Sequence, residues 1–246
     1  EVKNHSNTQI IHNKKNMGVG ASTLNGFKVA IQKRFDAVIR LDSDGQHSPT
    51  YIKSIIPQLF SIPKNQTILI KGSRYLFQIN SKEIPWARKI GSIILEPIAR
   101  GALSCRGLSD IGNGFIAMNN MTCRLLVGAK FGPKLKMRYL FESSLIVRAI
   151  FFDIPIYVFA MSPNYGKNWD SSMQSKNMII PLLIFWIRAA FSRIFNNYIL
   201  RLNLGSLLLS LFFITGLKSI DLFITIINPS IKAGITVSAG NSTFFT

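Results

Sequence analysis

An α/β fold with a mostly parallel central sheet, followed by membrane-associated apolar helices, is predicted by three observations. Short apolar runs alternate with helical periodicity over the first 160 residues. Charged and glycine-containing segments follow directly on the ends of those runs, and the chain turns strongly apolar after Met178. Strands alternating with helices favour parallel pairing, with ligands bound beyond the carboxyl ends of the strands.

In chain order, residues 8–12 read as a short strand and residues 16–20, Asn-Met-Gly-Val-Gly, as a loop. Residues 21–34 form a helix, with Leu24, Phe27, Ala30 and Ile31 at helical spacing. The next strand covers residues 37–41, after which Ser48 is placed as N-cap and Pro49 as the first residue of a helix reaching Phe60. Ile52, Ile55, Ile56 and Leu59 line one side of that helix. Residues 67–71 are a strand ending in Gly72-Ser73-Arg74-Tyr75, and residues 84–106, which carry Arg88 and Arg100, are helical. A turn then leads into a strand over 115–118, followed by a helix over 141–151, a strand over 154–160 and a polar loop over 162–177. The expected organisation is a catalytic domain over 1–176, membrane-interfacial or transmembrane helices over 177–227, and a tail over 228–246.

Residues 178–195 are apolar but interrupted by Arg188 and Arg193, which suits an interfacial helix whose guanidinium groups reach lipid headgroups. Residues 202–217 carry no charge and are bounded by Arg201 and Lys218. As a helix they span roughly 24 Å, short of the ~30 Å hydrocarbon core unless the flanking cations snorkel. A buried core helix is the alternative. Arg188, Arg193 and Arg201 on the amino-terminal side place that side, and the catalytic domain, on the cytoplasmic face.

Lys and Arg number 29 against 11 Asp and Glu, a formal charge of +18, with a mean hydropathy of +0.25. The basic residues are scattered and the chain is rich in Phe, so an anionic membrane surface explains the charge better than nucleic acid does. Cys105 and Cys123 have no ligand partners at metal spacing and read as reduced thiols, and three dispersed His give no zinc site. No Gly-x-Ser-x-Gly elbow is present, so a hydrolase triad has no support.

The most informative segment is Ile39-Arg-Leu-Asp-Ser-Asp-Gly-Gln-His-Ser-Pro49, an apolar strand running into Asp42 and Asp44. Alternation along an extended chain points i and i+2 to the same side, so two carboxylates can face one divalent cation that holds a diphosphate. The competing reading is a solvated acidic turn.

These features together resemble glycosyltransferase family 2, and within it the polyprenyl-phosphate sugar transferases of the dolichol-phosphate mannose synthase type. The resemblance rests on Asn16-x-Gly18-x-Gly20-Ala21, Gly26 and Ala30, Leu41-Asp-Ser-Asp-Gly-Gln-His47, Gly72-Ser-Arg-Tyr75, Ser109-Asp110 with Gly114-Phe115, Glu142 and Tyr165-Gly166-Lys167. It implies a GT-A fold, a nucleotide-diphosphate sugar donor, and Mg²⁺ or Mn²⁺. Asp42 and Asp44, helped by Gln46, would hold the metal, while Gly18 and Gly20 allow close approach to the nucleotide or simply form a strand-to-helix turn. Arg74 and Arg88 match positions that contact an acceptor phosphate, with surface arginine as the alternative. Asp110 is the candidate general base or acceptor-orienting carboxylate, unless it caps a turn. Glu142 belongs to the acceptor site or to a helix salt bridge, and Lys167 would close a loop on the diphosphate. The Pro-x-x-Asn-Glu opening strand of the family has no match here, so residues preceding Glu1 are expected. The implied acceptor is a polyprenyl phosphate or, alternatively, a glycan hydroxyl of a surface polysaccharide; a non-catalytic membrane scaffold is the reading from another class.

Overall fold

The computed structural model describes residues 7–76, 86–162, 179–200 and 204–234. Two compact units divide at Ala190 and Phe191. In the first, helices and strands alternate: α1 (Val19–Gln32), β1 (Ala37–Arg40), α2 (Tyr51–Ser61), β2 (Leu69–Ser73), α3 (Trp86–Leu103), β3 (Ile116–Asn119), α4 (Asn120–Gly128), α5 (Phe141–Phe151), β4 (Ile156–Ala160) and α6 (Ile179–Ile194), whose last turn enters the second unit.

The sheet order is β1-β3-β2-β4. β1, β2 and β4 run the same way, but β3 is reversed and sits between β1 and β2, so the sheet is mixed. Among the described residues its one parallel pairing is β2 with β4. The register sets Arg40 and Lys71 beside Ile116, so the start of β3 lies level with the carboxyl ends of β1 and β2. Three different loops therefore open onto one edge of the sheet.

Alternation along the strands builds two cores. Leu69, Ile116 and Met118 face a larger core filled by Leu24 and Phe27 of α1, Ala99 and Leu103 of α3, Leu126 of α4, and Phe141 and Leu145 of α5. Ile70, Ala117 and Phe115 face a smaller one closed by Ile55 and Leu59 of α2. Helices thus cover both sides of the sheet.

Several local expectations shift. Residues 8–12 are irregular, with Ile10 and Ile11 exposed and no strand beside them. The helix expected from Pro49 begins at Tyr51, because Ser48, Pro49 and Thr50 form a tighter lead-in whose carbonyls accept from Tyr51, Ile52 and Lys53. Ser48 Oγ still receives the Thr50 N–H, at 3.4 Å. α4 was not anticipated, although Asn119 caps it by accepting the Thr122 N–H at 3.0 Å. α6 presses Leu182, Phe185, Trp186 and Ala189 into the larger core and exposes Ile180, Ile184 and Ile187, as an interfacial helix would.

The second unit contains α7 (Leu204–Leu222) and α8 (Asn228–Lys232), joined by a π-helical segment (Phe223–Ile227). Together Leu204–Lys232 make 29 helical residues, with an 18-residue stretch of mean hydropathy 1.9, long and apolar enough to cross a membrane by length and composition. At 1.5 Å per residue that is roughly 43 Å, longer than the ~30 Å hydrocarbon core, with Lys218 and Asp221 lying within it. Leu207, Leu208, Leu211, Phe212 and Phe213 are all exposed.

Candidate active site

Two charged strand ends create the site. β1 finishes at Arg40, and residues 43–45 turn through Gly45 at φ +76°. The alternation argument therefore applies one step earlier than expected: it aligns Arg40 with Asp42, whose Nη2 and Oδ1 stand 2.7 Å apart. Asp42 lies just past the end of β1 and Asp44 lies in the turn, so neither is part of the strand. Asp44 is exposed and uses Oδ1 to accept the Gln46 N–H at 3.1 Å; the Asp42 side chain is a third exposed.

Arg40 is buried and forked. Its Nη1 reaches Glu142 Oε1 of α5 at 2.5 Å, and its guanidinium lies 5.6 Å from the Phe141 ring centre. Glu142 is thus engaged in an ion pair that runs between elements, from α5 to β1, and not within a helix. On the other side of Asp42, any side chain at position 114 would overlap its carboxylate, so Gly114 makes room for it. His47 packs beneath, accepting the Asp42 N–H on Nδ1 at 3.2 Å, and its burial lowers its pKa.

The second strand end supplies Arg74. Asp110, 3 % exposed and held at φ 51°, receives Arg74 Nε at 2.7 Å, Nη2 at 2.9 Å and the backbone N–H at 2.9 Å. Asn113 adds an amide donor at 2.9 Å. Burial alone would raise the Asp110 pKa; the Arg74 charge and hydrogen bonds, with Lys71 behind, override it and hold the pKa at about 2. So weak a base, with its oxygens already occupied, is unsuited to taking a proton at neutral pH. Asp110 is thus bound to Arg74, the arrangement that its acceptor-orienting alternative calls for.

Gln46 is buried and its Oε1 accepts from Arg74 Nη1 at 3.3 Å, which ties the metal turn to the Arg74–Asp110 pair. Its amide oxygen is directed at the Arg74 guanidinium, while Asp42 and Asp44 bring the two carboxylates. Those two carboxylates fit a Mg²⁺- or Mn²⁺-type site, because such ions take one or two carboxylates and complete their shell with water and phosphate oxygens. Among the described residues no cluster of three His, Cys, Asp or Glu gathers.

Gly18 and Gly20 sit at the start of α1 against the chain itself. A Cβ on Gly20 would lie 2.6 Å from the Lys136 carbonyl oxygen, one on Gly18 2.7 Å from that of Met137, and the Ala21 N–H donates to Met137 at 3.2 Å. The close approach these glycines permit is made by residues 136–138. Arg88 lies in the first turn of α3, with its side chain outside what is described, and Lys167 lies outside the described residues.

Four contributors escaped the sequence reading: Arg40, Lys71, Glu96 and Asn113. Lys71 is fully buried, donates from Nζ to the Asn113 carbonyl at 2.5 Å, and is pushed down to about 8 by burial, opposed by Asp110 and Glu142. Glu96 of α3 accepts the Asp110 N–H at 2.7 Å, and burial raises its pKa. Charges closing the apolar strands Ala-Val-Ile-Arg and Thr-Ile-Leu-Ile-Lys were the available signal.

The profile of Glycosyl transferase family 2 matches residues 1–123, half of the chain. The chain belongs to glycosyltransferase family 2. Among its relatives, a UDP-N-acetylglucosamine–dolichyl-phosphate N-acetylglucosaminyltransferase of Methanococcus voltae is 31 % identical over 83 residues, 34 % of this chain and 32 % of that protein. A dolichol-phosphate mannosyltransferase of Pyrococcus furiosus is 27 % identical over 136 residues, 54 % of this chain and 35 % of that protein. A polyprenol monophosphomannose synthase of Mycolicibacterium smegmatis is 26 % identical over 108 residues, covering 44 % and 39 %. The chain spans between about a third and two fifths of these relatives' lengths. The family segment contains Asp42, Asp44, Gln46, Arg74 and Asp110, and ends before Glu142.

Proposed function

We propose that this family 2 chain is a metal-dependent, inverting transferase moving a sugar from a nucleotide-diphosphate donor to a polyprenyl phosphate at the cytoplasmic face of a membrane. The observation that carries this reading is the closure of Asp110 on Arg74. A sugar hydroxyl must lose a proton as it attacks, so it needs a base within reach. A lipid phosphate is already ionised and needs none. With Asp110 held at a pKa of about 2 and Glu142 paired to Arg40, the site suits the phosphate acceptor better than the glycan hydroxyl.

In this reading Asp42 and Asp44 hold Mg²⁺ or Mn²⁺ against the donor diphosphate. The cation would supply Lewis-acid neutralisation of the charge on the departing nucleoside diphosphate. Asp110 fixes the Arg74 guanidinium, and the positive charges of Arg74 and Arg88 suit the acceptor phosphate. Lys167 would draw its loop over the donor and exclude water. The phosphate oxygen attacks the anomeric carbon from the face opposite the leaving group, which inverts that centre. The printed activities of the archaeal and mycobacterial relatives, all on dolichyl or polyprenol carriers, support the acceptor class. The two long apolar helices and the arginines preceding the second support anchoring with the domain in the cytoplasm.

The test supplies membranes containing the protein with radiolabelled UDP- and GDP-sugars, polyprenyl phosphate and Mn²⁺. Label entering the organic-extractable lipid, and disappearing with chelator, is the expected result. Label entering only a water-soluble glycan would assign the hydroxyl-acceptor reading instead.

A further inference from the structure

Arg40 stands between two carboxylates, and its geometry points to a function beyond anything assigned above. We propose that Arg40 and Glu142 are positioning residues forming a charge-neutral strut, which orients Asp42 towards a divalent cation without cancelling its charge. This rests on the reading of Asp42 as a cation ligand.

The strut joins elements far apart in sequence, β1 and the first turn of α5. Arg40 gives one guanidinium nitrogen to Asp42 at 2.7 Å and the other to Glu142 at 2.5 Å, with both Arg40 and Glu142 side chains more than nine-tenths buried. Phe141 covers the guanidinium face. Gly114, with no Cβ, receives the other side of the Asp42 carboxylate. The carboxylate is therefore fixed on one side by the guanidinium and on the other by bare backbone.

Electrostatics explains why two partners are needed. A lone guanidinium on Asp42 would compete with a dication for the same oxygens. Glu142 offsets that positive charge, so Asp42 keeps a full negative charge to offer. A planar fork with two separated nitrogens holds both carboxylates in set positions, which the single nitrogen of a lysine on its flexible stem does not. Partners that orient ligands from behind typically change metal affinity by about 10–100-fold.

The test is a Mn²⁺ titration followed by the electron paramagnetic resonance of free Mn²⁺, with saturating UDP and, in parallel, GDP. Asp42→Asn should lose Mn²⁺ binding. Glu142→Gln, which keeps the shape and removes the charge, should raise the Mn²⁺ Kd about tenfold, and Glu142→Asp should recover much of it. Arg40→Lys should weaken binding comparably and reads the strut from its other end should Glu142→Gln not fold. If Asp42→Asn binds Mn²⁺ as well as the wild type, the cation-ligand reading fails and the strut with it. If Asp42→Asn abolishes binding while Glu142→Gln and Arg40→Lys retain the wild-type Kd, the strut alone is overturned.

Discussion

Asp110 illustrates how a residue's surroundings decide its chemistry. The same carboxylate in a solvated loop could serve as a base; enclosed by Arg74, Asn113 and Lys71 it is a fixed anion. Its folded pKa of about 2 lies below the ordinary 3.8. The resulting stabilisation is therefore complete above pH ~4 and lost as pH falls through ~2, amounting to about 2 kcal/mol. Urea unfolding at pH 5 and pH 2.5 should show that loss in the wild type, and Asp110→Asn should lack this component of the acid slope. Asp44 is the contrasting case, exposed and bonded only locally. Asp44→Asn should leave the melting temperature within about 2 °C while lowering kcat/KM more than about a hundredfold, the size expected when a Lewis-acid ligand is lost. Equal loss of stability and activity would mean the residue is structural.

At the level of elements, α1 carries a matched pair of tests. Gly20→Ala puts a methyl against the Lys136 carbonyl and the Phe141 ring and should destabilise by about 1–3 kcal/mol. Gly26→Ala, in the same helix with nothing within 4 Å, should stabilise by up to about 1 kcal/mol. Denaturant midpoints of the two variants should move in opposite directions. Such elements also show where sequence is informative. α5 forms over the residues its apolar pattern marks, because Phe141, Leu145, Ile146 and Ala149 repeat at helical spacing and all are buried. The reversal of β3 was not legible, since Ile-Ala-Met-Asn reads alike in either direction and its neighbours are chosen by tertiary packing. Asp42, Asp44 and Arg74 were found because each follows an apolar run. Arg40 and Lys71 were missed because they belong to the runs, and a buried charge shows itself only through distant partners. The alternation that was applied to the two aspartates in fact aligned Arg40 with Asp42.

For the whole molecule, a formal charge of +18 and a long exposed apolar helix both support the proposed seat on an anionic bilayer. Leu211→Arg, placed within Leu204–Lys232, should cost about 2.5–3.5 kcal/mol of insertion and shift protein out of the carbonate-resistant membrane fraction. Retention of Leu211→Arg in that fraction at the wild-type level would mean that this helix does not span. The account as a whole stands on the turn after β1 gripping a cation and, through it, a diphosphate. Calorimetric titration of UDP and GDP into the detergent-solubilised protein, with and without Mn²⁺, tests that most directly. Binding of one nucleotide that requires Mn²⁺ and vanishes in both Asp42→Asn and Asp44→Asn is the predicted result; Mn²⁺-independent binding that both variants retain would contradict it.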